Sequence, residues 1–186
     1  MKQVRKYDAN AQRKLYDLFV LQMYNTVLRI LKNKEDVQDC LQIGFSLVFK
    51  NIDQYDEKKG AFITWVTRIF INESLRILRR KKIIFEDINE NYSLLSNAAS
   101  PLDELQLEDI MKLINSLPDQ LRVIFNLYEI EGYSHKEIGQ MLEIAESSSR
   151  TFLARAKKKL RLLMNNTTNE NFIIRRHMKS YKSSER

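Results

Sequence analysis

Four glycines and two prolines in 186 residues leave little with which to make tight turns. Sheet-rich folds need turn residues every 8 to 12 positions or so, so this scarcity argues against a sandwich or barrel and for long helices. A single cysteine, Cys40, excludes a disulfide framework within the chain and any cysteine-based zinc site. The two histidines, His135 and His177, are too far apart for metal-ligand spacing, so no metal or other cofactor is expected. No stretch of about 18 apolar residues occurs, and the charged start "MKQVRKYDANAQRK" has no apolar run behind it. Neither a membrane insertion nor a signal peptide is expected, and the cysteine poverty fits a reducing cytoplasm. No nucleophile–base pair or phosphate-cradling glycine loop stands out, so the chain does not read as an enzyme.

What is present is basic charge, unevenly spread. The net charge is +7. Residues 1–82 carry 17 Lys/Arg against 9 Asp/Glu, 83–104 carry 5 acids and no base, 105–164 carry 9 bases against 8 acids, and 165–186 carry 5 against 2. A basic surface attracts polyanions by phosphate contact and counterion release, which makes nucleic acid the leading partner class. Charge alone is equally consistent with solvated lysines spread over helix faces.

Hydrophobic periodicity divides the chain into two helical blocks. Leu15, Leu18, Phe19, Met23 and Val27 mark one amphipathic helix from about Asn10 to Leu31. Asn33 is placed to cap a second, with Asp36 at its third position and Val37, Leu41, Gly44, Phe45, Val48 and Ile52 on its apolar face. A third, from about Ala61, ends in the basic run at Arg79 to Lys82, which suits the negative end of a helix dipole. Residues 83–100 collect Asn and Ser without a period, as a linker does. Beyond them Ser100 and Pro101 can open a helix, Pro118 starts another that stops at Gly132, and "SHKE" forms a capping box from Ser134 to Glu137.

"YSHKEIGQMLEIAESSSRTFLARAKKKL" then has helix-turn-helix spacing. Phe152, Leu153, Ala156, Leu160 and Leu163 form the stripe expected to be buried in its second helix. Ser147, Ser148, Arg150, Thr151 and Arg155 are left on the exposed face, with the lysines 157–159, Lys158 among them, placed to meet a phosphate backbone. Small hydroxyls permit close approach to a groove, and Arg150 has the fork that reads guanine. An ordinary α-hairpin with a solvated basic end is the alternative.

This segment, with "SLPDQLRVIFNLYEIEGYSHKEIGQML" in front of it, resembles the fourth conserved region of bacterial sigma factors, most closely the small extracytoplasmic-function (ECF) group. The resemblance implies a helix that reads the −35 promoter element. Where such factors often have "GIS", this chain has Glu143, Ile144 and Ala145, so Glu143 is expected in a left-handed conformation and a hydroxyl N-cap is lost. "EDVQDCLQIGFSLVFKNIDQYDEKKGAFITWVTRIFINESLRILRR" is similar to the second conserved region. The resemblance makes Asp39, Gln42 and Phe45 the contacts to the clamp of core RNA polymerase, with Ile43 standing where many relatives have an acid.

It also assigns −10 recognition and melting to Tyr55, Lys58, Lys59, Phe62, Asn72, Arg76, Arg79 and Arg80, since holding a base out of the stack takes planar groups, a polar reader and cations along the strand. Core packing remains open for Phe62 and Trp65, as does a satisfied helix amide for Asn72. The implied architecture is all-α: a three-to-four-helix domain over 1–82, an acidic linker over 83–104, a helix-turn-helix domain over 105–164 and a basic tail over 165–186. The implied partners are core RNA polymerase and promoter DNA, with an anti-sigma factor as a further family expectation. A stand-alone helix-turn-helix regulator would leave the first block unexplained, and a helical adaptor would make the basic charge incidental.

Overall fold

A computed structural model describes residues 8–81 and 107–183, with side chains described over 8–81 and 110–164. The acidic strip and the expected helix start at Ser100 and Pro101 lie outside the described residues. All regular structure among the described residues is helical. The elements are α1 (Ala9–Leu31), α2 (Lys34–Lys50), α3 (Phe62–Arg80), α4 (Leu107–Ser116), α5 (Asp119–Phe125), α6 (His135–Leu142) and α7 (Glu146–Ser183).

The first two helices start where a side chain can take their orphan N–H groups, whereas α3 follows Ala61 with no side-chain cap. Asp8 accepts from the N–H groups of Asn10 and Ala11 at 2.9 and 3.2 Å. Asn33 accepts from Glu35 and Asp36 at 2.8 and 3.3 Å. Asp36 accepts a 2.6 Å hydrogen bond from Lys81, which ties the head of α2 to the end of α3.

Helices α1, α2 and α3 pack around Met23, Val27, Val37, Cys40, Val48, Val66, Phe70 and Ile71, all fully buried. Helices α2 and α3 come close at Gly44, where a Cβ would lie 2.3 Å from Phe70 Cε1. Phe70 in turn packs edge-on against Phe45, with ring centroids 5.0 Å apart. The periodicity reading included Leu18 in the buried stripe, yet Leu18 is 72% exposed and Leu21 71% exposed. The buried row runs through Leu15, Met23, Val27 and Ile30 instead, because α1 meets only two neighbours in this bundle.

In the second block α5 continues into a π-helical turn, Asn126–Ile130, and Gly132 ends it at φ 77. Helix α5 is buried between α7 and the end of α1, so Leu121, Arg122, Val123 and Ile124 are all buried in succession. The two blocks meet at a polar joint. Arg122 is 1% exposed and donates from Nη1 to the carbonyls of Arg29 and, at 2.7 Å, Ile30. Asn126 donates to the Arg29 carbonyl at 3.1 Å, and Arg29 pairs with Glu131 at 2.7 Å. Lys32 reaches the Leu117 carbonyl at 3.2 Å and Asp119 at 3.3 Å.

Gly44→Ala should destabilise the N-terminal bundle. Overpacking a buried contact costs about 1–3 kcal/mol, against a helix-propensity gain of at most about 1 kcal/mol. A lower urea midpoint at unchanged slope is the expected reading; an unchanged or raised midpoint would mean the Phe70 ring yields freely.

Candidate nucleic-acid interface

The helix-turn-helix is built from α6 and the start of α7. The capping box at the head of α6 is present: Ser134 donates its N–H to Glu137 Oε2 at 2.9 Å, and its hydroxyl accepts from the Glu137 N–H at 3.3 Å. The hydrogen bonds from Ser134 hold the Glu137 carboxyl below the usual carboxylate range.

At the other end Glu143 adopts φ 59, ψ 39, the left-handed conformation expected at this turn, and Ile144 donates to the Gly139 carbonyl at 3.0 Å. That bond, across a left-handed residue, is the Schellman closure of a helix end. It requires glycine at 139, where a Cβ would come within 2.9 Å of the Ile144 carbonyl oxygen. A non-glycine residue at Glu143 stores on the order of 1 kcal/mol in the turn.

Helix α7 begins at Glu146, and Phe152, Leu153, Ala156 and Leu160 are buried as the spacing predicts, whereas Leu163, the last of the expected stripe, is only half-buried. The three serines are not equivalent. Ser147 is exposed and Ser148 half-buried, whereas Ser149 is fully buried, its hydroxyl 3.0 Å from His135 Nδ1. His135 stacks on Tyr128 with ring centroids 4.3 Å apart. This Tyr128–His135–Ser149 stack locks α6 to α7 and was missed in the sequence, although Ser149 falls three and four residues before Phe152 and Leu153 on the same stripe. Burial, then the positive charge of Arg150, pushes the His135 imidazole below its ordinary value.

Of the predicted reading residues, Arg150 and Thr151 are exposed, and Arg155 and Lys158 are half-buried. Thr151 returns its hydroxyl to the Ser147 carbonyl at 3.0 Å. Arg150 pairs with Glu146 one turn back, with side chains 63% and 45% exposed. Such a surface pair is worth about 0–1 kcal/mol, less than the roughly 1–3 kcal/mol of a bidentate base contact, so Arg150 is available to DNA. Arg155 lies over the Phe152 ring at 5.9 Å. Lys157 is held by Glu129 at 2.6 Å, which ties α7 to the π-helical turn.

In the N-terminal bundle the loop before α3 is closed by a hydrogen bond of its own. Tyr55 donates its hydroxyl to the Gly60 carbonyl at 3.1 Å, and Gly60, at φ 145, adopts a conformation that favours glycine. Tyr55, Phe62 and Trp65 form one ring cluster with centroids 5.0 to 5.8 Å apart, and Phe19 adds to it at 5.7 Å. All three are half-buried, so each has both a packed side and an open one. Lys58, Lys59, Arg68, Asn72 and Arg80 are exposed, the two lysines in the loop between Tyr55 and Phe62, Arg68 and Asn72 one turn apart on α3, and Arg80 at its far end.

Three predicted residues are engaged otherwise. Phe45 is 3% exposed and packs on Tyr16, Phe49 and Phe70, so it supports the α2 surface rather than offering a contact. It faces inward because it follows the Gly44 contact on the helix side turned toward α3. Asp39 and Gln42 are exposed on that helix. Arg76 grips the buried Glu73, its Nε 2.7 Å from Oε2, so it is committed within α3 rather than free for phosphate. Arg79 pairs at 2.8 Å with Glu143 of the other block.

Fold and site together define an all-α protein of two helical units, one carrying a helix-turn-helix. Residues 15–83 match the family model for sigma-70 region 2, and residues 107–160 match that for sigma-70 region 4. The chain is 29% identical over 174 residues to the ECF RNA polymerase sigma factor SigW of Bacillus subtilis, covering 87% of this chain and 92% of that protein. To SigM of the same organism it is 26% identical over 161 residues, 84% of this chain and 96% of the relative. Among solved structures it shares a fold with the sigma factor RpoE of Bartonella quintana bound to the anti-sigma factor NepR, at TM-score 0.53 and 18% identity over 82% of this chain and 96% of that one. CnrH bound to the cytosolic domain of CnrY gives TM-score 0.50 and 18% identity over 89% and 94%. The chain belongs to the ECF sigma factors of the sigma-70 family. No helix among the described residues is long and apolar enough to cross a membrane.

The buried His135 makes stability pH-dependent with a defined sign. Its folded pKa lies below its unfolded value of about 6.5, so on acidification the unfolded chain takes the proton first and stability falls. Between about pH 6.5 and pH 5, above the carboxylate range, wild type should lose stability faster than His135→Gln. Urea titrations of both chains across that window check this; parallel slopes would show that the imidazole protonates without penalty.

Proposed function

We propose that this chain directs RNA polymerase to a defined set of promoters by reading two DNA elements with its two helical units. Family membership supports the general role, promoter-directed transcription initiation with RNA polymerase. The division of labour is our reading. Residues 1–82 dock on core polymerase through Asp39 and Gln42 and capture the −10 strand. Residues 105–164 read the −35 element, 83–104 join the two, and 165–186 form a basic tail.

One observation carries the reading: a single chain pairs a helix-turn-helix, whose second helix opens with exposed Ser147, Arg150 and Thr151, with a second exposed set in the N-terminal unit, Lys58 and Lys59 in the loop between the half-buried rings of Tyr55 and Phe62, and Asn72 and Arg80 farther along α3. The first set suits a duplex major groove, where hydroxyls approach closely and a guanidinium reads base edges. The second suits a single strand, since Tyr55 and Phe62 offer open ring surface, Asn72 a donor and an acceptor, and the lysines cationic anchors. Opening DNA needs the second kind of site and locating a promoter needs the first. Core polymerase supplies the catalysis, so the chain contributes differential affinity and no bond chemistry of its own. It would act in the cytoplasm, and an anti-sigma factor is an expected partner, as the solved complexes of its structural neighbours suggest.

The test is to add the chain to sigma-free bacterial core polymerase with genomic DNA fragments and map new transcript starts. Discrete starts sharing upstream elements roughly one and a half to two and a half DNA turns apart are expected. DNA binding without new starts would remove the initiation role.

Arg150→Ala should reduce discrimination among −35 sequences by about 1–3 kcal/mol. Equal loss on every promoter would recast Arg150 as a phosphate contact.

A further inference from the structure

Helix α7 opens on an acid, and that acid is joined to the arginine one turn on. Glu146 accepts from Arg150 Nη2 at 2.5 Å, and the two side chains remain 45% and 63% exposed. Two turns beyond Arg150 on the same helix, Lys157 is held by Glu129 at 2.6 Å. Two cations of α7 are thus tied to carboxylates in the chain alone.

Such pairing works against phosphate binding. Residues 105–164 carry 9 bases against 8 acids, so the sequence-independent attraction that supplies most non-specific DNA binding is weak in this unit. The residues at the start of a recognition helix are the ones that approach base edges, and an acid there is repelled by the phosphates of both strands. Glu146 therefore costs affinity on every duplex unless a base donates to it.

The chemistry of the groove names that base. A guanidinium is a planar fork of N–H donors, so the edge given to Glu146 leaves others for guanine N7 and O6. Across the major groove a guanine·cytosine pair presents those two acceptors and then the cytosine N4 donor. The joined side chains present donors from Arg150 and then an acceptor from Glu146. The two patterns are complementary. An adenine·thymine pair sets the adenine N6 donor against the guanidinium and the thymine O4 acceptor and methyl group against the carboxylate. That mismatch is repulsive at both side chains, which is how specificity is gained from a rejected partner as well as from a favoured one.

The pair adds little to stability, because both groups are largely exposed. Its larger effect is on orientation. An unrestrained arginine can turn to a phosphate, which carries no sequence information, whereas one held by Glu146 meets the groove with its fork already placed.

We propose that Glu146 and Arg150 act as one reader of a guanine·cytosine pair in the −35 element, Arg150 donating to the guanine while Glu146 positions the guanidinium, accepts from the cytosine and rejects adenine·thymine. This rests on the −35 reading proposed above. It adds an acid to a surface otherwise made of cations and hydroxyls, and it commits the element to at least one such base pair.

The test uses the full chain bound to core polymerase, on a promoter fragment found by mapping starts, with each −35 base pair replaced in turn. Wild type should prefer guanine·cytosine over adenine·thymine at one position by about tenfold or more, and Arg150→Ala should reduce that preference. Glu146→Gln keeps the length of the side chain but removes the charge and adds a donor. It should lower the preference at the same position about threefold or more, chiefly by tighter binding to the adenine·thymine fragment. In the double variant the loss should be smaller than the two single losses multiplied, as for two groups that act together. An equal change on every fragment would make Glu146 a helix-end charge alone and overturn the inference, as would single losses that simply multiply. If Arg150→Ala alters no position, the −35 reading falls and the inference with it. If Arg150→Ala relaxes one position and Glu146→Gln does not, the −35 reading stands and the inference alone falls.

Discussion

A helix that ends inside protein must find donors for its final carbonyls, and at the end of α1 that requirement organises the relation between the two halves. The Arg122 guanidinium suits the task because its planar fork bonds two adjacent carbonyls while its other arm turns to Asp119 at 2.7 Å. Burial lowers the Arg122 pKa, and the Asp119 carboxylate opposes that shift. For Asp119 burial acts upward, but Arg122 and Lys32 outweigh it and the carboxyl titrates below its ordinary value. The chain therefore keeps a charged group inside without leaving it unpaired, the condition under which a buried charge is tolerable.

Close backbone approach sets the rest. Gly44 lets the Phe70 ring sit against α2, and Gly139 lets the turn after α6 fold back over the helix end. These contacts orient the two units at different scales. The first brings α3 near enough to α2 for Cys40 and Ser74 to lie 3.4 Å apart in the core, with Arg68 and Asn72 turned outward on the far side. The second fixes the angle at which α7 leaves α6, and the stacked Tyr128, His135 and Ser149 hold it there.

Much of this was legible in the amino acids because it depends on local rules. The Asn33 cap, the Ser134 capping box, the stop at Gly132 and the left-handed Glu143 follow from residue chemistry within a few positions. The buried stripe of α7 followed from period as far as Leu160. What was not legible depends on which surface meets which. Periodicity gives Leu18 and Met23 equal claim to the core, and only the position of neighbouring helices exposes one and buries the other. Phe45 stood on the apolar face by period and on a contact surface by resemblance, and the Phe70 ring packed against it decides for the first. Arg122 sits in a run of apolar residues where an arginine would ordinarily turn to solvent, and its carbonyl partners lie more than ninety positions away. Arg79 looks free in sequence because its partner Glu143 lies 64 positions away, whereas the Glu73 partner of Arg76, three residues back on the same helix, is one that helical spacing offers.

The left-handed residue after α6 has an evolutionary side. Glutamate and glycine codons differ by one base, so a single nucleotide change at Glu143 would remove both the backbone strain and the carboxylate resting on Arg79. Because that pair is largely exposed, the change would alter the balance between the two units by only a small increment. A change at this one position would therefore act on the contact between the two units and leave Ser147, Arg150 and Thr151, the exposed residues at the start of α7, as they are.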